Sequence, residues 1–302
     1  MSTEVVLVSG GVDSLLVANA YPDALRLFVD YGQPYAREER IASADLFPGL
    51  ETVEIRGIVT PPHFDSFVPC RNLMLATIAV QFGDSILFGG MKDDHVEDNK
   101  ETEFTLMSHV LSRYARKQVR VWSPFFHMTK ADAIAAYLKD NPSDKLLRTF
   151  SCFNPQLGQE CLDCPACLRR NMALHVNRLP SKIVTKDILQ IYLQKIHTYD
   201  RHRQWTFFNY LNDHLPVVFV DIDGVLTTSG NGLDYENKVP NLKNIEKLKD
   251  IDAVRVLWTS RRETDRPVTE AWLARHGVVY HSLLMEKPNF RIFYDDKAKE
   301  SL

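Results

Sequence analysis

The sequence predicts an α/β protein of two domains, and three observations carry that expectation. Short β-branched runs alternate with helix-period segments along the first 150 residues. A second series of the same kind begins near residue 216, and 302 residues are more than a single core ordinarily organises. Glu4–Val8, Ala24–Val29, Thr52–Ile55, Ser85–Phe88 and Val119–Trp122 read as strands of a parallel sheet. Leu15–Ala20, Asn72–Phe82, Thr102–Arg116 and Lys130–Lys139 read as the helices between them. The segment 186–212 is helical and aromatic-rich, and it ends at Asp213-His214-Leu215-Pro216, which places a domain boundary between 213 and 214. Beyond it, strands at Val217–Val220, Val254–Trp258 and Ile292–Tyr294 alternate with helices at Asn241–Lys249 and Thr269–Arg275.

Composition narrows the class. No apolar run reaches the roughly 18 residues of a membrane span, and the N-terminus lacks the basic and apolar regions of a secretory signal, so a cytoplasmic protein is expected with no membrane partner. The formal charge is −3, and after residue 214 the count is 13 Lys+Arg against 14 Asp+Glu, from totals of 36 and 39. Neither part has the basic excess of a non-specific duplex binder. Five cysteines in a reducing compartment are not a disulfide framework, and four of them fall within sixteen residues.

The first chemical site is the string Ser9-Gly10-Gly11-Val12-Asp13-Ser14 between the first strand and the first helix. Glycines allow close backbone approach, serines and amides can surround a phosphate, and a helix N-terminus adds partial positive charge. An ordinary tight turn is the plain alternative. The string resembles the PP-loop ATP pyrophosphatases, which cleave ATP between the α- and β-phosphates and adenylate a substrate. Further matches are Asp30-Tyr31-Gly32-Gln33 after the second strand, Pro69-Cys70-Arg71-Asn72 opening a helix, Thr129-Lys130 before another, and Ser151-Cys152-Phe153. Together these resemble, over about the first 180 residues, the 7-cyano-7-deazaguanine synthases, called QueC.

That resemblance implies a PP-loop domain of the HUP, or adenine-nucleotide α-hydrolase-like, class. It implies ATP as a consumed co-substrate, Asp13 acting through Mg²⁺, Lys130 as a catalytic cation, and Ser9, Gly10, Gly11, Val12 and Ser14 on the pyrophosphate. Tyr31, Gln33, Arg71 and Asn72 line the ATP and substrate site. The expected reaction adenylates 7-carboxy-7-deazaguanine, forms the amide with ammonia, and adenylates that amide to reach the nitrile. Two positions depart from the family: Cys70 replaces its usual glycine, and Asp93–Asp98 replaces its tyrosine- and glycine-containing loop. For Cys70 a small buried packing residue is expected, with a reactive nucleophile as the alternative.

Cys152-x8-Cys161-x2-Cys164-x2-Cys167 offers four soft thiolates on a short loop, with Pro165 stiffening the turn, and this suits structural tetrahedral Zn²⁺; reduced cysteines without metal are the alternative. The adjacent Arg169 and Arg170 read as a solvated helix face, with one of them facing the substrate as the alternative, and Arg201–Trp205 as part of an amphipathic helix packing between domains, with contact to a phosphate backbone as the alternative. His63, His95 and His127 are assigned no role.

In the second domain, Val217–Val220 delivers Asp221-Ile222-Asp223 at a strand's C-terminal end, where open α/β sheets place reactive groups. Thr259-Ser260, Lys287 and Asp295-Asp296 follow in order. Residues 216–302 resemble the haloacid dehalogenase-like (HAD) phosphatases, a Rossmann-like fold. The resemblance implies Asp221 as nucleophile, Asp223 as general acid and base, Thr259 as a hydrogen-bond donor to the phosphate, Lys287 as charge balance, and Asp221, Asp223 and Asp295 holding Mg²⁺. Thirty residues between Asp223 and Val254 leave room for little or no cap. A structural copy without activity is the alternative.

The leading functional expectation is thus a QueC-like amide or nitrile former joined to a phosphatase. A second is conjugation of the activated deazaguanine to a protein or nucleic-acid amine, in a phage-modification or anti-phage setting. A third is a nucleotide-sensing scaffold with two degenerate sites. A homodimer partner is compatible with each.

Overall fold

The computed structural model describes residues 3–58, 68–94, 96–228 and 232–288. The chain folds as two compact units, Met1–Ile188 and Leu189–Leu302. The sequence-derived boundary near 214 falls inside the second of these, because the aromatic helical segment before it is counted with the strands that follow.

The first unit runs β1 (Glu4–Leu7), α1 (Val12–Ala20), β2 (Leu25–Asp30), α2 (Ala36–Leu46), β3 (Glu51–Glu54), α3 (Arg71–Ala79), β4 (Ser85–Leu87), α4 (Glu101–Ala115), β5 (Arg120–Trp122), α5 (Lys130–Tyr137), α6 (Asp144–Arg148) and α7 (Pro165–Val176). Its five strands are ordered β3-β2-β1-β4-β5 and every pairing is parallel. Parallel strands need both faces covered, and the alternation within each strand shows how that is met. Val6, Val8, Phe28 and Leu87 point into a core with α1, α5 and α7, while Val5, Leu27, Val29, Ile86 and Val121 point into another with α3 and α4. The chain builds outward from β1 to β3 and then returns to β4 on β1's other side. The crevice where the order reverses therefore opens at the C-terminal ends of β1 and β4, the place where such sheets bind ligands.

Helix α8 (Lys186–Lys195) straddles the division between units, and the second unit continues with α9 (Arg201–Asn212), β6 (Val217–Val220), α10 (Leu242–Lys249), β7 (Val254–Trp258), α11 (Arg266–Arg275) and β8 (Ser282–Leu284). The three strands pair in parallel in the order β6-β7-β8. Val220, Ile222, Leu257 and Leu283 meet Ile245 and Leu248 of α10 and the fully buried Trp272 of α11. The indole N–H of Trp272 donates to the Lys238 carbonyl at 2.8 Å, so the largest core side chain has its polar atom paired.

The expected strand Ile292–Tyr294, and with it Asp295 and Asp296, lie outside the described residues, as do His63 and His95. Helix α2 and strand β8 were not expected. The first carries Arg37, Glu38, Glu39 and Arg40 in a row, which dilutes its periodicity, and the second is three residues long.

Candidate functional site

The turn from β1 to α1 is shaped by glycine for two separate reasons. Gly10 has φ +71°, and a Cβ there would lie 2.6 Å from the Cβ of Ala42, so neither the backbone nor the space admits a side chain. Its carbonyl accepts a 2.8 Å bond from the N–H of Phe150, which brings the start of the cysteine segment against the loop. The Ser14 hydroxyl donates to the Gly11 carbonyl at 3.0 Å and accepts from the Ser9 N–H at 3.3 Å, closing the loop on itself. Gly11 caps α1 without a side chain, which leaves the first-turn N–H groups of the helix for an anion.

Asp13, in that first turn, is paired with Lys130 at 2.6 and 2.8 Å through its two oxygens. Gly89, after β4, makes the approach possible: a Cβ there would sit 2.5 Å from the Cβ of Asp13. Lys130 is placed by a capping box in which Thr129 accepts from the Asp132 N–H, and its own N–H donates to Asp93 at 3.0 Å. The ammonium is nearly buried, so its charge is little screened. Burial raises the Asp13 carboxyl above the usual carboxylate range against the pull of Lys130, and nearby Asp94 adds to the rise.

Asp94 is the hub of this corner. It accepts from the Met91 N–H at 3.0 Å, from the Asn99 amide, and from Arg169 at 2.9 Å. Arg169 and Arg170 are accordingly not a solvated face. Arg169 reaches the crevice through Asp94, and Arg170 is buried, bonded to Thr149 and paired with Glu160 at 3.4 Å. The sequence hid this because each partner comes from a different loop: Asp94 is 75 residues from Arg169.

A second group gathers at the end of β2. Tyr31, Gln33 and Asn72 are buried, the Tyr31 N–H donates to Gln33, and Gln33 donates to Glu39 at 2.8 Å. Asn72 donates to the Asp98 carbonyl at 3.0 Å, and the Tyr35 ring packs on Phe153 with centroids 5.5 Å apart. Glu39 and Tyr35 join the sequence-derived residues here. Burial pushes the Glu39 carboxyl up to about 8, against the Gln33 hydrogen bond and the charge of Arg71. The wild type therefore keeps a neutral Glu39 in the folded state after the unfolded chain has ionised, and its stability falls as pH rises from about 4.5 to about 8. Glu39→Gln should remove that loss, gaining about 1–2 kcal/mol on wild type between pH 5 and 8 once partial exposure is discounted. Urea midpoints at the two pH values read the effect, and parallel curves for the two proteins would refute it.

Cys70 is exposed rather than buried, and it sits at φ +57°, the left-handed region, just before α3. That backbone is what a glycine supplies freely, so the departure at this position is one of backbone strain, not of cavity filling.

The four clustered cysteines come together as the spacing predicts. Their sulfurs lie within 4.8 Å of one another, and Cys161 and Cys167 are 4.0 Å apart, close to the roughly 3.8 Å edge of a tetrahedron with 2.3 Å Zn–S bonds. Backbone N–H groups of Cys161, Asp163 and Cys167 donate to Cys152, Cys161 and Cys164 sulfurs at 3.2, 3.3 and 3.5 Å. Such donors stabilise thiolate charge. Contacts with Cys152 and Cys167 hold the Cys164 thiol low, while contacts with Cys152 and Cys164 push Cys167 up. The donor set fits Zn²⁺ with no position left for substrate.

In the second unit, Asp221 follows β6 and pairs with Lys287, whose backbone N–H donates to the Thr259 carbonyl at 2.8 Å. Asp223 is bonded by both arms of Arg261, at 2.8 Å each, and lies 3.6 Å from the Lys238 ammonium. Thr259 is fully buried and its hydroxyl accepts from the Arg261 N–H at 3.3 Å. Arg261 and Lys238 were missed because nothing in their local sequence distinguishes them from surface cations. Arg203, from the 201–205 run, is likewise buried, over the Tyr199 ring at 3.8 Å.

Residues 59–178 match the family described as queuosine biosynthesis protein QueC. A 7-cyano-7-deazaguanine synthase from Paracoccus denitrificans is 26% identical over 224 residues, 61% of this chain and 93% of the relative. Among solved structures, an MCSG target from Vibrio cholerae aligns at 28% identity over 28% of this chain and 82% of its own, with a TM-score of 0.26. A predicted subunit of tRNA methyltransferase from Methanocaldococcus jannaschii aligns at 15% identity over 46% of this chain and 76% of its own, with a TM-score of 0.36. Among the described residues no helix is long and apolar enough to cross a membrane.

Proposed function

We propose that the first unit, a QueC-like PP-loop domain, uses ATP to adenylate a 7-deazaguanine carboxylate and carries it to the amide or nitrile. One observation carries this reading: the glycine-shaped phosphate cradle and the Asp13–Lys130 pair meet at the crevice between β1 and β4. In the proposed reaction a carboxylate oxygen of the substrate forms a bond to the α-phosphorus, the α–β bridging P–O bond breaks, and pyrophosphate leaves into the loop. Ammonia then bonds to the acyl carbon and AMP departs, giving the amide. Adenylation of the amide oxygen by a second ATP, followed by loss of AMP and protons, gives the nitrile. Lys130 offers positive charge to the phosphates, and Asp13 offers a carboxylate oxygen to the Mg²⁺ that accompanies ATP. The four-cysteine site would hold Zn²⁺ as a structural element. Incubation with 7-carboxy-7-deazaguanine, ATP, Mg²⁺ and ammonia tests the reading by mass spectrometry. AMP formation that depends on the deazaguanine supports it, and AMP formation indifferent to that compound removes it.

The second unit supports a separate reading, a HAD-like phosphatase with Asp221 as nucleophile and Lys287 as its counter-charge. Its support is the placement of both at one end of the parallel sheet, with the Asp221 side chain one-third exposed. Asp221→Asn keeps the shape and removes the nucleophilic charge. Phosphate release should fall at least about 10³-fold while AMP formation by the first unit persists. Release from Asp221→Asn at the wild-type rate would dispose of the assignment.

A further inference from the structure

The two carboxylates after β6 are presented differently. Asp221 keeps 33% of its side chain exposed and, among the described residues, is paired with Lys287. Asp223 keeps 15%, and its two oxygens accept separately from Nε and Nη2 of Arg261 in a planar two-point pair. Arg261 cannot follow a moving partner. Its side chain is 1% exposed, its third arm donates to Thr269 at 3.1 Å, and the Tyr235 ring covers the guanidinium at 4.3 Å. Lys238, itself buried, adds a second cation 3.6 Å from Asp223. To hand a proton to a departing oxygen, Asp223 would have to turn an oxygen away from Arg261 and leave a buried guanidinium half paired, which is strongly unfavourable.

We propose that Arg261, supported by Lys238, is a positioning residue that keeps Asp223 turned into the protein, and that the second unit therefore acts on phosphoanhydrides, whose leaving group departs without a proton, in preference to alkyl phosphomonoesters. The inference rests on the phosphatase reading given above. In the first step an Asp221 oxygen bonds to phosphorus, the anhydride P–O bond breaks, and the leaving phosphate departs as its anion. In the second, a water oxygen bonds to phosphorus, the Asp221–phosphorus bond breaks, and the water proton passes to solvent. Inorganic pyrophosphate is the phosphoanhydride that the proposed chemistry of the first unit releases, and its hydrolysis would make adenylation irreversible.

The test uses the full chain with Mg²⁺ at neutral pH and compares phosphate release from pyrophosphate and ADP with release from glycerol 3-phosphate and 5′-AMP. Asp221→Asn assigns the activity to this site. Because a general acid contributes about 10²–10⁴-fold, its absence should favour the anhydrides by at least about 100-fold. Arg261→Gln, by releasing Asp223, should bring that ratio below about 10, and Lys238→Met should move it the same way by less. Equal release from both classes overturns the leaving-group inference and spares the phosphatase reading, whereas release from neither, or release untouched by Asp221→Asn, removes both. An unchanged ratio in folded Arg261→Gln overturns the positioning role. If that variant does not fold, the wild-type ratio and Lys238→Met decide the matter.

Discussion

Asp13→Ala is expected to lower deazaguanine-dependent AMP formation by at least about 10²–10³-fold, the usual effect of removing one charge that acts on a transferring phosphoryl group. The reason lies in the paired geometry. Asp13 lies 2.6 Å from Lys130, an ammonium that is 7% exposed, and the two meet beside the glycine turn proposed to hold phosphate. Without the carboxylate, on the proposed reading, the Mg²⁺ accompanying ATP would lose its protein oxygen, and the nearly buried Lys130 ammonium would lose the group it pairs with. The second effect costs stability, by up to about 3 kcal/mol, because half of a buried pair remains. Asp13→Asn separates the two, since the amide still accepts from Lys130 and should fold at nearly wild-type stability while remaining inactive. Lys130→Met should lose comparable activity, and the double variant should be little worse than either single, because groups in direct contact are not additive. Quench-flow measurement of AMP against urea midpoints distinguishes these outcomes. Undiminished AMP from folded Asp13→Asn would remove Asp13 from the proposed chemistry.

Loss of one thiolate should act by a different route. Cys164 is fully buried, caps α7 and accepts from the Cys167 N–H, so it belongs at once to the proposed metal site and to the start of a helix that packs into the first core. Structural Zn²⁺ contributes roughly 10–16 kcal/mol to the folding of small zinc peptides. That is as large as the whole 5–15 kcal/mol net stability typical of a domain. Cys164→Ser should therefore purify with far less than one zinc per chain, melt at least about 10 °C lower, and lose AMP formation only in proportion to its unfolded fraction. A strong chelator should reproduce the melting shift in the wild type and should not shift Cys164→Ser further. Elemental analysis showing a metal-free wild type, or a serine variant with unchanged melting, would refute the zinc assignment.

The parts of this protein legible from sequence are those whose cause is local. The glycine turn before α1 could be read because Gly10 must be glycine for its own φ and for the helix next to it. The cysteine site could be read because x2 spacings bring sulfurs together over one turn. The strand that precedes Asp221 could be read because a β-branched run declares its own length. Residues whose role depends on a distant partner were not legible. Arg169 and Arg170 look like a solvated face until Asp94 and Glu160 are brought to them by the closing of the sheet. Glu39 looks like one more charge on an acidic helix until burial beside Gln33 changes its chemistry. Cys70 reads as a packing residue until its left-handed backbone and its exposure are seen.

The amino-acid sequence by itself determined the alternation of strand and helix, the cradle, the thiol cluster and the order of the acidic residues, because each depends on spacing within a few residues of chain. Only the tertiary structure decided which charges meet: Lys130 with Asp13 across 117 positions, Arg169 with Asp94 across 75, and Arg261 with Asp223 across 38. The physical reason is that burial and Coulomb attraction depend on distance through space, which is set only when the parallel sheets have closed.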